Sequence, residues 1–484
     1  MEEIDIALIT KRSIRGIFAL TSRTFVVQLI GLVTSFVLTI FLSPSAFGVF
    51  FVVSAAIAFL SYFSDIGLAA ALIQKKEPVT DEELKITFTI QQTLIVTLVV
   101  GAFALSNFVG SFYDLNREGI LLFQALVFSF FLSSLKTIPS IILERSLRFE
   151  KLVIPQIVET FFFSITAVSL AIAGFGITSF TFAVLARGIS GLLTIYIISP
   201  WKPGVGFSKK VLSRLLSFGV PFQTNSVLAL IKDDLLIVYL GKILPLSEVG
   251  FIGFAQKWAF TPLRLIMDNI IRITFPSFSR LQEERSALSF AVEKSIFATS
   301  FLIFPSLVTL VILFPYFIDL IPKYSKWEPA LLSLGFFSAN AAFSSISTPL
   351  TNALNAIGKI KTTLYLMIFW TVTTWILTPL GVFYFGFNAV SIVSAIISSS
   401  AVFVVFLVRK YIDFNIFKVA AYPALASLIM GVVLYLLSPT VISNAYTLIF
   451  MIVLGGVIYF SMMFIMAREQ IIADIKSIKT NLLR

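Results

Sequence analysis

The sequence predicts an all-α integral membrane protein of about 14 transmembrane helices, built as two pseudo-symmetric six-helix lobes plus two C-terminal helices. Three observations carry that prediction. Apolar stretches of the roughly 20 residues needed to cross a bilayer recur along nearly the whole chain, which is 58% hydrophobic and 13% charged. When those stretches are taken as crossings, the basic residues fall on one side. Of the 36 Lys and Arg, only Arg117, Lys242, Lys323 and Lys326 lie in the loops of the other. Finally, LSPSAFGVF (42–50) returns as LPLSEVGFI (244–252), at the matching turn of a second set of crossings.

The first crossing is expected at 17–41, after MEEIDIALITKRSIRG. That opening has no short apolar core with a small-residue cleavage site, so the first helix is expected to act as its own targeting signal. Crossings at 46–72, 86–109 and 119–142 follow, separated by LSPS, QKKEPVTDEEL and YDLNREG. The next two, 153–174 and 177–199, are joined by the glycine-marked turn AGFGI. The connector WKPGVGFSKKVLSR leads into 215–240, and the repeated turn LPLS leads into 249–278. Six further crossings, 295–318, 329–352, 362–383, 386–408, 418–437 and 443–467, contain no charged residue beyond Lys418 at the very start of the fifth. Residues 1–200 and 201–410 are read as the two lobes, and 411–484 as an accessory pair of helices with a tail. Structural repeats of this kind commonly build transporters, with the substrate site where the repeats meet.

The side that is rich in Lys and Arg is expected to be cytoplasmic, which puts both termini inside and the protein in the cell (inner or plasma) membrane. The same rule accounts for the net charge of +11 without nucleic acid, which is not expected as a partner. There are no cysteines and no histidines. Disulfides, thiolate metal sites and cysteine nucleophiles are therefore excluded, and any proton coupling falls to carboxylates. No phosphate-binding G-x-x-x-x-G-K-[ST] loop occurs, and the inner connectors are too small for a nucleotide-binding domain. The outer loops are also too short to hold the catalytic groups of a membrane glycosyltransferase or repeat-unit polymerase. Neither an enzyme, a metal nor a cofactor is expected.

Apart from Lys418 at a span boundary, charge inside the crossings is confined to spans 1, 2 and 4–8: Arg23, Asp65, Lys136, Glu159, Arg187, Lys232, Asp233, Asp234, Lys257, Arg264, Asp268 and Arg272. Each would cost about 3 kcal/mol at the bilayer centre unless paired or hydrated. Span 8 is the sharpest case. At 100° per residue, Lys257, Thr261, Arg264, Asp268 and Arg272 fall within roughly 80° of one another over roughly 22 Å of rise. That face is net positive, and Asp268 lies four residues from both Arg264 and Arg272. Two readings stay open: a ligand-binding stripe, or a structural one in which the end cations reach for the interfaces and Asp268 satisfies Arg264. Arg23 and Asp65 lie at similar depth and are expected to meet, as are Lys136 and Glu159. Both pairs read equally as structural locks or as ties that break during turnover. Arg187, too deep to reach an interface, is the better ligand candidate. Lys232, Asp233 and Asp234 are consecutive and point roughly 100° apart, so they cannot all face one cavity.

Several stretches together resemble one known family. They are LSPSAFGVF with FSDIGLAAALIQ, then ILERSLRFEKL, then LLSFGVPF, DLLIVYLG with LSEVGFIGFAQ, and FPSFSRLQ. In order and spacing they are similar to the oligosaccharide-lipid flippases, or polysaccharide transport proteins, whose superfamily also holds the multidrug and toxin extruders. The resemblance covers most of the chain and implies a two-lobed transporter working by alternating access. It implies a polyprenyl-pyrophosphate-linked oligosaccharide as cargo, membrane lipids as surroundings, and a polysaccharide polymerase complex as prospective partner. The expected substrate-binding cations are Arg23, Arg187, Lys232, Lys257, Arg264 and Arg272. The expected coupling or ion-pair carboxylates are Asp65, Glu159, Asp233, Asp234 and Asp268. The competing reading is an extruder of organic cations, which needs an acidic cavity; the membrane glycosyltransferase or polymerase and a non-transporting scaffold stand behind it.

Overall fold

The computed structural model describes residues 6–62, 64, 67–75, 77–224 and 227–468, and every regular element among them is helical. Two compact units divide the chain, Met1–Gly250 and Phe251–Arg484. The first contains α1 (Ile6–Phe41), α2 (Pro44–Tyr62), α3 (Leu68–Gln74), α4 (Asp81–Ala104), α5 (Ser106–Phe112) and α6 (Arg117–Ser134). It continues through α7 (Thr137–Arg145), α8 (Phe149–Ile172), α9 (Thr178–Ile198), α10 (Lys209–Thr224) and α11 (Val227–Ile243). The division falls inside α12 (Leu246–Arg280). The second unit then holds α13 (Arg285–Leu320), α14 (Leu331–Ala356), α15 (Ile360–Phe385), α16 (Ala389–Ser398), α17 (Ala401–Arg409), α18 (Tyr422–Val441) and α19 (Ala445–Met466).

Among the described residues, 11 helical stretches are long and apolar enough to cross a membrane. The longest, Ile360–Arg409, contains both crossings expected at 362–383 and 386–408. The crossings expected at 215–240 and 249–278 are not in that set: the first is described as two shorter helices, α10 of 16 and α11 of 17 residues, and the second lies in the charge-bearing α12. Large apolar side chains such as Phe383, Ile197 and Phe108 point outward from these helices, as a lipid-facing surface requires. This is a multi-pass membrane protein.

Several crossings that read as continuous are broken. The 46–72 crossing becomes α2 and α3, with Gly67 at φ 74° immediately before α3, a left-handed backbone that favours glycine. The 119–142 crossing becomes α6 and α7, separated at Leu135–Lys136. Pro139 explains that break: it has no N–H for the carbonyl four residues earlier, which is that of Leu135. The Tyr196 hydroxyl of α9 donates to this oxygen instead, at 3.1 Å. The same arrangement recurs twice in the second unit. Pro305 releases the Phe301 carbonyl, which accepts from the Tyr459 hydroxyl at 2.8 Å. Pro349 releases the Ser345 carbonyl, which accepts from the Thr299 hydroxyl at 2.9 Å. In each case a neighbouring helix supplies the donor that the bilayer cannot.

The sequence echo has a physical meaning. A methyl group on Gly48 would fall on the Leu246 carbonyl oxygen, and one on Gly250 would fall on the Pro44 carbonyl oxygen. In the aligned echo Gly48 matches Gly250 and Pro44 matches Leu246, so the two copies pack reciprocally against each other. Backbones approach this closely only without side chains between them. The crossing continues along the helices, with Gly241 of α11 against Val52 of α2. It is tied further by the Tyr113 hydroxyl donating to the Val238 carbonyl at 3.1 Å and by Lys242 Nζ donating to the Phe112 carbonyl at 2.8 Å.

In the second unit α13 is the central helix. Its Val292, Ile296, Ile303 and Leu307 are fully or almost fully buried, the first two in a cluster with Leu350 and Leu354 of α14, Met430 of α18 and Met451 of α19.

Two stability predictions follow from these contacts. Gly48→Ala is expected to cost on the order of 1–3 kcal/mol, since the obstructing atoms are backbone, while Gly31→Ala, with open space around it, is expected to be neutral or slightly stabilising; thermal unfolding in detergent checks both. Tyr459→Phe is expected to cost about 1 kcal/mol, and to cost much less when combined with Pro305→Ala, which restores a backbone donor for Phe301. An additive double mutant would remove the proline from the explanation.

Candidate functional site

Polar side chains in the first unit gather around the middle of α8. Gln156 and Glu159 lie three residues apart and therefore on one side of that helix. From α1, Arg23 donates through Nε to Gln156 Oε1 at 2.6 Å. From the break between α6 and α7, Lys136 Nζ meets Glu159 Oε1 at 2.5 Å. From α9, Arg187 Nε lies 3.7 Å from Glu159 Oε2. Glu159 thus sits between two cations, and it is 8% exposed. An unpaired carboxylate at such a position would be strongly disfavoured; two neighbouring cations remove that cost.

The backbone around the cluster is shaped for it. A methyl group on Gly191 of α9 would fall on the Glu159 carboxylate, so glycine is what gives the acid its seat. One turn earlier, Gly188 lets α9 approach Ser129 and Leu132 of α6, where a methyl group in its place would stand 3.1 and 3.0 Å from their side chains. The helix break that presents Lys136 is held from α4 by Gln91 Nε2, which donates to Thr137 Oγ1, and by Gln92 Nε2, which donates to Ser134 Oγ, each at 3.1 Å. Tyr196 holds the same break from α9. Arg187 differs from its neighbours in exposure, with 58% of its side chain accessible against 15% for Lys136.

The other expected residues are placed differently. Asp65 lies outside the described residues. On α11, Lys232 Nζ is 3.7 Å from Asp233 Oδ1, with the Asp233 side chain 69% exposed and Asp234 half-buried. In the second unit α12 turns its aromatic side inward. Phe254 stacks on Trp327 with ring centres 4.2 Å apart, and Trp258 meets Phe314 edge-on at 5.2 Å. Further along, Met267 packs with Ile303, Leu307 and Ala341. Lys257, Arg264, Asp268 and Arg272 are all exposed. Among the described residues Asp268 forms no ion pair with Arg264 or Arg272. The face therefore holds three cations, Lys257, Arg264 and Arg272, and one carboxylate, Asp268.

Sequence reasoning paired Lys136 with Glu159 and singled out Arg187, but did not foresee that one carboxylate joins all three. It also missed Gln156, Gly191 and Tyr196. Gln156 was signalled by its spacing from Glu159, and Tyr196 had no signal, because its partner is a backbone oxygen released by a proline on another helix.

Residues 37–331 match the profile of a family described as "Polysaccharide biosynthesis protein". The chain is 24% identical over 342 residues to the lipopolysaccharide biosynthesis protein WzxC of Escherichia coli (strain K12), a match that covers 70% of this chain and 68% of that one. It is likewise 24% identical over 275 residues to the succinoglycan biosynthesis transport protein ExoT of Rhizobium meliloti (strain 1021), covering 56% of this chain and 55% of that one. Its fold is similar to that of the lipid II flippase MurJ in an inward closed conformation, with TM-score 0.77 and 18% identity over 93% of this chain and 99% of that one.

Lys136→Met is expected to destabilise the protein by about 3–5 kcal/mol, because it removes the buried partner of Glu159. Much of that loss is expected to return in the double mutant Lys136→Met with Glu159→Met, as read by thermal unfolding in detergent.

Proposed function

The chain belongs to the polysaccharide biosynthesis protein family, and from that premise we propose that it is a flippase for lipid-linked oligosaccharides. It moves polyprenyl-pyrophosphate-linked repeat units from the inner to the outer leaflet by alternating access of two six-helix lobes. It resides in the inner or plasma membrane with both termini cytoplasmic, and delivers its cargo to cell-surface polysaccharide assembly, where a polymerase complex is the natural recipient. The similar proteins WzxC, ExoT and MurJ support this reading through their roles in lipopolysaccharide biosynthesis, succinoglycan biosynthesis transport and lipid II flipping.

The observation that carries the proposal is the exposed face of α12, where Lys257, Arg264 and Arg272 accompany a single carboxylate, Asp268. A charged helix face in a membrane protein must meet water or a ligand, since lipid cannot solvate it. A cationic one suits a diphosphate and acidic sugars through charge-assisted hydrogen bonds, with Arg able to engage two phosphate oxygens at once. An organic-cation extruder needs the opposite sign. The lipid tail stays in the bilayer while the headgroup crosses, and no bond is made or broken, so the protein acts as a transporter and not as an enzyme. Arg23, Arg187 and Lys232 are the further cations assigned to the cargo; Asp65, Glu159, Asp233, Asp234 and Asp268 are the carboxylates left for coupling or for charge balance.

The test is leaflet translocation of a fluorescent polyprenyl-pyrophosphate oligosaccharide in reconstituted vesicles. Wild type is expected to move it, and correctly inserted Arg264→Ala to move it at least tenfold more slowly, in line with loss of one charge-assisted contact. Equal rates would take α12 out of the binding site. No movement by wild type under any imposed proton, sodium or voltage gradient would overturn the cargo assignment.

A further inference from the structure

The connector between α9 and α10 has no regular secondary structure, yet its residues alternate between two surroundings. Gly204 and Gly206 face α4: a methyl group on Gly204 would stand 2.7 Å from Lys85 Cε, and one on Gly206 3.1 Å from Ile86 Cγ1. The Gly206 amide donates to Thr89 Oγ1 at 3.0 Å, and Trp201 meets Phe88 edge-on with ring centres 5.2 Å apart. The residues next to the glycines turn the other way. Val205 is 88% exposed and Phe207 76%, although both are large apolar side chains on a segment tied to the helix beneath it.

Where that outer side points follows from α4. Lys85 and Thr89, which the connector covers, lie on the same face as Thr93, Val96, Val100 and Phe103, within roughly 80° at 100° per residue. Those four are exposed and belong to the lipid-facing side of the crossing. The connector therefore lies along the side of α4 that meets lipid, with Val205 and Phe207 on its outer surface. Its depth is set by Thr89, about 5 Å inside the crossing expected to begin at residue 86 and about 12 Å beyond Asp81, where α4 starts. That is the boundary between headgroups and acyl chains, where interfacial segments bury their apolar side chains.

The charge around the segment suits that level. Lys202, Lys209 and Lys210 flank the two apolar residues and are exposed, and none of them forms an ion pair among the described residues. The stretch WKPGVGFSKKVLSR contains no acidic residue, and on α4 beneath it Asp81 is taken by Lys85 at 2.6 Å. Lys209 and Lys210 open α10, where the helix dipole disfavours cations, so their charge does not serve that helix.

We propose that residues 201–210 form an interfacial anchor that recognises a bilayer surface carrying anionic headgroups. Val205 and Phe207 insert at the edge of the acyl region, and Lys202, Lys209 and Lys210 hold lipid phosphates around them. Insertion removes the two apolar side chains from water, and each lysine gains from the negative surface. Neither contribution depends on what the protein carries, so the anchor stands or falls separately from the transport reading.

The chain has no cysteine, so single cysteines can be placed and labelled without background. A small uncharged fluorophore is attached in turn at Glu82→Cys, Val100→Cys, Val205→Cys and Phe207→Cys of the full-length protein in nanodiscs. Its quenching by aqueous acrylamide and by brominated lipid is then measured. Positions 205 and 207 are expected to behave like 100, quenched by brominated lipid and about threefold less by acrylamide than position 82. At equal mole fraction, brominated phosphatidylglycerol is expected to quench the label at 205 about twofold more than brominated phosphatidylcholine. Lys202→Gln, Lys209→Gln and Lys210→Gln together are expected to remove that preference. Labels at 205 and 207 that acrylamide reaches as readily as at 82 would overturn the insertion. Labels shielded from both quenchers would overturn it too, and would give the surface to a protein segment. Equal quenching by the two lipids, or a preference that survives the triple substitution, would overturn the recognition of anionic headgroups.

Discussion

A bilayer core offers no hydrogen bonds, and most of what is distinctive in this fold answers that constraint. Every polar group that enters the membrane must bring its partner with it or be met by one from a neighbouring helix. Proline shows the rule most plainly. Pro139, Pro305 and Pro349 each release a carbonyl four residues earlier, and in each case a hydroxyl from another helix takes it: Tyr196, Tyr459 and Thr299. The helix breaks or bends and a tertiary contact forms in the same step. Local sequence and long-range packing are coupled by one missing N–H.

Charge obeys the same rule with larger stakes. Glu159 is buried and carries its counter-ions with it, drawn from the break after α6 and from α9. That break is itself a consequence of Pro139, so the proline that releases Leu135 also marks where Lys136 leaves the regular helix. The cations of α12 are treated otherwise. Lys257, Arg264 and Arg272 share an exposed face with Asp268, while Phe254 and Trp258 of the same helix are packed against Trp327 and Phe314. One set of charges is neutralised inside protein, and the other lies on an exposed helix face.

The architecture was legible because it depends on bulk properties. Helical class, membrane crossing and the number of crossings follow from apolar length and charge alternation, which need no knowledge of contacts. The exposed stripe of α12 was legible for a similar reason, since 3.6-residue periodicity places Lys257, Arg264, Asp268 and Arg272 together whatever surrounds them. What periodicity cannot supply is the neighbour. It gave a Lys136–Glu159 pair from matched depth but not the third member, and it read 119–142 as unbroken because the effect of Pro139 is felt at Leu135, with its remedy on α9. Glycine was also under-read. Gly191 is ordinary in sequence, and only the approach of Glu159 shows why a side chain is forbidden there.

The internal echo carries this reasoning one step further. Nine residues that match in two places are weak grounds for duplication when only sequence is considered, because turn chemistry recurs. The structure supplies a reason for both copies to keep the same small residues: each glycine makes room for a backbone carbonyl of the other copy, Gly48 for Leu246 and Gly250 for Pro44. A contact between equivalent positions must be satisfied by both partners at once, as at any two-fold axis. A change in one copy is therefore felt by the other. Helices that meet backbone to backbone, with no side chain between them, also keep a fixed separation while the surfaces around them repack. The segment where the two copies touch is accordingly the part of the first unit least free to change in sequence or in spacing, and the charged helices α11 and α12 both take their start or end from it.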